Sequence, residues 1–101
     1  MARRIIWANT SKKQLEDIIQ YWNKRNKSKT YSRKIRKHLK SILKLIVFNP
    51  NIGKKTNYPD KNVHSKTFMK NFQIIYEICA KELVILNFWD SRQDSEKNEY
   101  L

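Results

Sequence analysis

His64, Lys66, Arg92 and Tyr100 are the side chains of this sequence best suited to chemistry on a phosphodiester. Cleaving RNA without a metal needs a base for the 2′-hydroxyl proton, cations for the charge building on phosphorus, and an acid for the leaving oxygen. His64 and Lys66 stand two apart in a strand-like run, so they point the same way. Arg92 follows the last apolar run, where its guanidinium can face a ligand while its stem packs on Trp89. Lys54 and Lys55 precede the strand-like runs in a loop and suit phosphate positioning. Each also has a plainer reading: His64 as a strand-surface histidine, the lysines as merely exposed. Tyr76, inside an apolar run, reads as core.

Other chemistries find little support. With two histidines, one cysteine and no clustered ligand spacing, no metal site is expected. A single glycine rules out a glycine-rich phosphate loop, and no cofactor is expected. Cys79 has no partner for an internal disulfide and sits in an apolar run, where it reads as packing. The apolar runs Leu45–Phe48 and Leu83–Leu86 are too short to span a bilayer. The basic start is followed by an apolar run that stops at Asn9, too short for a signal peptide. A cytoplasmic protein without a membrane partner is the expectation.

The elements that must position these residues follow from periodicity. Ile5 and Trp7 lie in a short strand closed by Asn9-Thr10-Ser11. Ser11 with Gln14 reads as a capping box, and Leu15, Ile18, Ile19 and Trp22 form one face of a helix. After the polar stretch Asn26–Thr30, a second helix carries Tyr31, Ile35, Leu39, Ile42 and Ile46 on one stripe. Asn49-Pro50 ends it. A loop over residues 51–62 leads to three strands, Val63–Met69, Phe72–Cys79 and Leu83–Trp89, with connections so short that they must be antiparallel neighbours. The expected fold is α+β in the order β-α-α-β-β-β, a helical hairpin on one face of a small, mainly antiparallel sheet. Residues 1–101 make one domain, with 90–101 as a polar tail.

Charge is the strongest compositional signal: 22 Lys and Arg against 9 Asp and Glu give +13, with a pI near 10.0. No acidic residue occurs between Asp17 and Asp60. Within that gap Arg33, Lys37, Lys40 and Lys44 recur at helical spacing opposite the apolar stripe. A solvated helix face normally mixes signs, because i,i+4 acid–base pairs support a helix and like charges harm it. A one-sign face points to nucleic-acid phosphate or an acidic protein.

Four stretches in order resemble the RelE/ParE toxin superfamily: Ile5–Leu15, Phe48-Asn49-Pro50-Asn51-Ile52-Gly53, Phe72-Gln73-Ile74-Ile75-Tyr76-Glu77-Ile78 and Phe88-Trp89-Asp90-Ser91-Arg92-Gln93-Asp94. The resemblance spans nearly the whole chain. It implies the toxin of a type II toxin–antitoxin module, a system associated with plasmid stabilisation, encoded beside an acidic antitoxin that wraps and blocks it. RelE-like members cleave mRNA in the ribosome without metal, whereas ParE-like members inhibit DNA gyrase. In the nuclease branch a basic residue commonly ends the first meander strand, and further basic residues and a tyrosine or histidine follow the last. Here Thr67, Phe68 and Met69 occupy the first place with Lys66 the nearest cation. Arg92 matches the later arginine and Tyr100 the later tyrosine only loosely, so the nuclease set is incomplete. The ending around Trp89–Asp94 is closer to the ParE side. The charge suits a ribosome, a body of RNA phosphate, so ribosome-dependent mRNA cleavage is the first expectation. Gyrase inhibition is the alternative, and a non-enzymatic basic nucleic-acid-binding module is the reading outside the toxins.

Overall fold

Ile5 and Trp7 are half-buried on one side while Arg4 and Ile6 stay exposed on the other, which makes β1 (Arg4–Trp7) a strand with one packed side. In the computed structural model, which describes residues 3–92 and 97–101, it is followed by two helices. These are α1 (Asn9–Asn26) and α2 (Thr30–Phe48). Lys27, left-handed at φ 50°, closes α1 through its amide on the Asn23 carbonyl. Asn49 ends α2, and Pro50 opens a single 3-10 turn (Pro50–Ile52), where its fixed φ suits the first position. The strands are β2 (Lys54–Lys55), β3 (Val63–Phe68), β4 (Phe72–Ile78) and β5 (Glu82–Asp90).

The sheet runs β1-β5-β4-β3-β2. The pairs from β5 to β2 are antiparallel, and β1 adds alongside β5 in parallel. Both helices lie on one face. There Ile19, Ile35, Leu39 and Ile46 bury against Phe68, Phe72, Ile74, Tyr76, Leu83, Ile85 and Phe88. The α+β order and the helix pair on the sheet are as the sequence leads one to expect. The short strand β2 is new, recruited from the loop when Lys54 and Lys55 pair with Ser65 and His64.

Two details depend on tertiary context. On β5 the register slips, since Ile75 faces Asn87 while Tyr76 faces Ile85. Leu86 is thus an extra residue, a bulge. Past it the alternation changes phase, so Leu83, Ile85 and Phe88 all enter the core. The second detail corrects the capping box. Ala8 is the N-cap of α1, with no side-chain cap. Ser11 instead is fully buried, its hydroxyl 2.7 Å from the Ala8 carbonyl and 2.8 Å from the Ile85 carbonyl, one proton shared between them. Gln14 Oε1 accepts the Phe88 amide at 2.9 Å. β1 stops at Trp7 while β5 continues, so Ser11 and Gln14 seal the strand edge that β1 leaves open. No helix among the described residues is long and apolar enough to cross a membrane.

Candidate functional site

The loop after α2 is fastened by a buried knot that sets the direction of Lys54 and Lys55. Tyr76 Oη donates to the Pro50 carbonyl at 2.6 Å and accepts the Gly53 amide at 3.2 Å. His64 Nδ1 donates to the Gly53 carbonyl at 3.0 Å, and Nε2 lies 2.9 Å from the Asn62 side-chain oxygen. The imidazole also stacks on the Tyr76 ring at 5.8 Å between centroids. Gly53 is needed for close approach: a Cβ there would lie 2.4 Å from Tyr76 Oη and 2.9 Å from the Ser65 carbonyl oxygen. Burial pushes the Tyr76 phenol up, and the Gly53 amide offsets this only in part. The phenol therefore keeps its proton and remains a donor.

From this knot a groove of about 600 Å³ opens at the β2–β3 margin, lined by Lys54, Lys55, Lys66, Ser65, Thr67 and Gln73 among others. Leu101 also lines it, bringing the tail close. Three candidate cations therefore border one groove, although the pleat sends Lys66 to the opposite face of β3 from Ser65 and Thr67. Tyr100 sits beside Leu101 and packs on Tyr58, with centroids 4.9 Å apart. Burial, followed by the Glu99 carboxylate, pushes its phenol up. Near neutrality Tyr100 is an acid, not a base.

The remaining candidates lie elsewhere. His64 does share a face with Lys66, since their register partners are Tyr76 and Ile74. That face is the inner one, and His64 is sealed at 5 % exposure with both ring nitrogens engaged. The reading of His64 as a surface group is thus corrected. Arg92 stands past the end of β5, two strand spacings or about 10 Å from β3 and about 14 Å from β2. Its guanidinium lies over the Trp22 ring of α1, 4.9 Å from the centroid, rather than on Trp89. Asp90 grips it through Nε at 3.0 Å and Nη2 at 2.6 Å, and also accepts the Arg92 amide at 2.9 Å. Burial raises the Asp90 carboxyl, but these hydrogen bonds and the charge of Arg92 together hold it below its ordinary value. A phosphate must therefore compete with a resident carboxylate for this arginine.

Arg33, Lys37, Lys40 and Lys44 are exposed along α2, as is Arg36. Near the C-terminal end of α2 an apolar groove of about 330 Å³ runs between Leu43, Val47, Phe48 and Ile5, with Lys40 and Lys44 on its rim. Phe48 is 92 % exposed there. Among the described residues no three His, Cys, Asp or Glu side chains are grouped as metal ligands would be. Burial and the neighbouring Glu77 carboxylate raise the Cys79 thiol, away from the reactive thiolate. The residues that composition did not single out are Asp90, Trp22 and Asn62. Only Asp90, two before Arg92 in the same turn, left a readable trace.

Comparison with known proteins fits this architecture. A family model described as the ParE toxin of the type II toxin–antitoxin system parDE matches residues 5–95. A solved structure of a chromosomal ParDE toxin–antitoxin system from P. aeruginosa superposes with a TM-score of 0.70 at 16 % identity, covering 88 % of this chain and 96 % of that one. At that identity the likeness speaks for the fold alone. No curated protein matches in sequence.

Proposed function

The chain belongs to the ParE family, toxins of type II toxin–antitoxin systems, and we propose that it arrests growth by inhibiting DNA gyrase rather than by cutting mRNA. The observation that carries this reading is the dispersal of the groups metal-free cleavage requires. His64 is sealed in the core, Tyr100 holds its proton, and Arg92 is bound to Asp90 some 10 Å from β3. A general base must come within about 3 Å of the proton it takes. Neither His64 nor Tyr100 offers one on the groove of Lys54, Lys55 and Lys66. A toxin that blocks a protein target needs no such base.

As a type II toxin the protein has an antitoxin for a partner. The apolar groove between α2 and β1 suits an acidic, partly apolar segment of it. Lys40 and Lys44 rim that groove, and β1 is an edge strand. A second reading, ribosome-dependent mRNA cleavage, draws on the gathering of Lys54, Lys55 and Lys66 and on the +13 charge.

The deciding experiment is gyrase supercoiling of relaxed plasmid with the purified toxin, run beside primer extension on cellular mRNA after induced expression. Inhibited supercoiling with intact transcripts is the expected result. Unaffected supercoiling together with codon-phased cuts would overturn the gyrase reading.

A further inference from the structure

The exposed face of α2 has no part in the gyrase reading, yet it is a dense, one-signed surface. Arg33, Arg36, Lys37, Lys40 and Lys44 are all exposed. At 3.6 residues per turn they fall within an arc of roughly 100°, opposite the buried Ile35, Leu39 and Ile46. The ion pairs among the described residues, Arg4–Glu82 and Arg92–Asp90, lie elsewhere. Like charges three and four apart each weaken a helix by a few tenths of a kcal/mol, roughly 0.2–0.5. Packing does not demand them, since α2 is held by its other side. The row is a burden on the fold that only an external anion relieves.

We infer that this face is a ridge that binds the phosphate backbone of a double-stranded nucleic acid. From Arg33 to Lys44 the helix rises about 17 Å. Over that length of its axis a duplex carries about ten phosphates on its two strands, so five cations in a row meet a continuous anionic surface. The strands wind with a turn of roughly 34 Å, so a straight helix meets the two backbones in succession along a stiff duplex rather than following one strand. An acidic protein fits less well. The exposed residues beside Arg33, Arg36 and Lys37 include Lys34 and His38, neither of them apolar, whereas the aromatic and arginine anchors of a protein interface are sealed from water by packed neighbours. The apolar groove begins beside Lys40 and Lys44 and runs toward Phe48, so Arg33, Arg36 and Lys37 lie outside it. Phosphate contact needs no such anchor and carries no sequence information by itself. The ridge therefore holds a duplex without reading it.

Fluorescence anisotropy with the purified full chain tests this, using a DNA duplex, an RNA duplex and a single strand of one sequence across a salt series. The triple variant Arg33→Gln, Arg36→Gln, Lys37→Gln lies outside both grooves and changes only exposed side chains. A matched triple at Lys54, Lys55 and Lys66 serves as comparison, with circular dichroism to check that both are folded. The ridge variant is expected to lower the slope of log K against log salt by about 2–3 and duplex affinity at low salt at least tenfold. The groove variant is expected to change both less. The DNA and RNA arms identify which duplex is held. Three results would each overturn the inference: no duplex binding by the parent chain at low salt, an unchanged slope in the ridge variant, or polyglutamate displacing the duplex as well as a competing duplex does. The gyrase reading survives any of these, because it rests on other residues.

Discussion

Removing the Tyr76 hydroxyl and adding a methyl group at Gly53 should not be independent perturbations. Tyr76→Phe deletes the donor to Pro50 and the acceptor for the Gly53 amide. The Gly53 amide is left buried without a partner, while the half-buried Pro50 carbonyl can still reach water. Losing one such buried group costs about 1–3 kcal/mol, so a loss near 2 kcal/mol is expected. For a domain of this size that corresponds to a fall in Tm of roughly 8–16 °C. Gly53→Ala forces its new Cβ into the space of Tyr76 Oη, at 2.4 Å, and destabilises by displacing that hydroxyl. With the hydroxyl already gone, the contacts with the Ser65 carbonyl at 2.9 Å and the Tyr76 ring at 3.1 Å remain. The penalty of Gly53→Ala should therefore be smaller in the Tyr76→Phe background by about 1 kcal/mol, within the range known for contacting pairs. Urea unfolding of the parent, both single variants and the double variant, followed by far-UV circular dichroism, measures the cycle. Additivity within about 0.5 kcal/mol would refute the knot as the device that fastens the Lys54–Lys55 loop.

Three other outcomes follow from the same geometry. Asp90 is held below its ordinary carboxyl value by Arg92, so the folded state sheds that proton more readily than the unfolded chain. The stabilisation is complete above the unfolded value of about 3.9 and is lost as pH falls through the lower folded value. Asp90→Asn should thus lower stability by up to about 1 kcal/mol at neutral pH and have no effect in strong acid, as read from denaturation at the two pH values. His64→Gln should leave growth arrest intact wherever the variant is folded. Abolished toxicity in a folded His64→Gln protein, with transcripts cut by the parent, would return His64 to the role of base. Gln14→Ala removes the acceptor of the Phe88 amide. It should cost about 1–2 kcal/mol and strip that amide of hydrogen-exchange protection while leaving Ile74 protected.

The elements of this fold are legible in the chain because each is decided locally. Leu15, Ile18, Ile19 and Trp22 mark one helix face, Ile35, Leu39 and Ile46 another, and the runs around Phe68, Tyr76 and Ile85 can bury only as strands. The cationic row on α2 is equally local, since helical spacing alone places Arg33, Lys37, Lys40 and Lys44 together. The site is another matter. Whether His64 faces solvent depends on which side of β3 the helices cover and on where the Pro50–Gly53 turn returns, and both involve residues distant in the chain. The bulge at Leu86 leaves no periodic trace, yet it turns Phe88 inward and brings its amide to Gln14. Arg92 reads as a free cation because nothing in its spacing reveals that the indole beneath it comes from Trp22 of α1; only Asp90, two residues before it, hints at the carboxylate that holds it. Periodicity records which side of an element is dry. It carries no record of which distant groups will meet there, and in this protein that meeting separates the buried histidine from the exposed lysines.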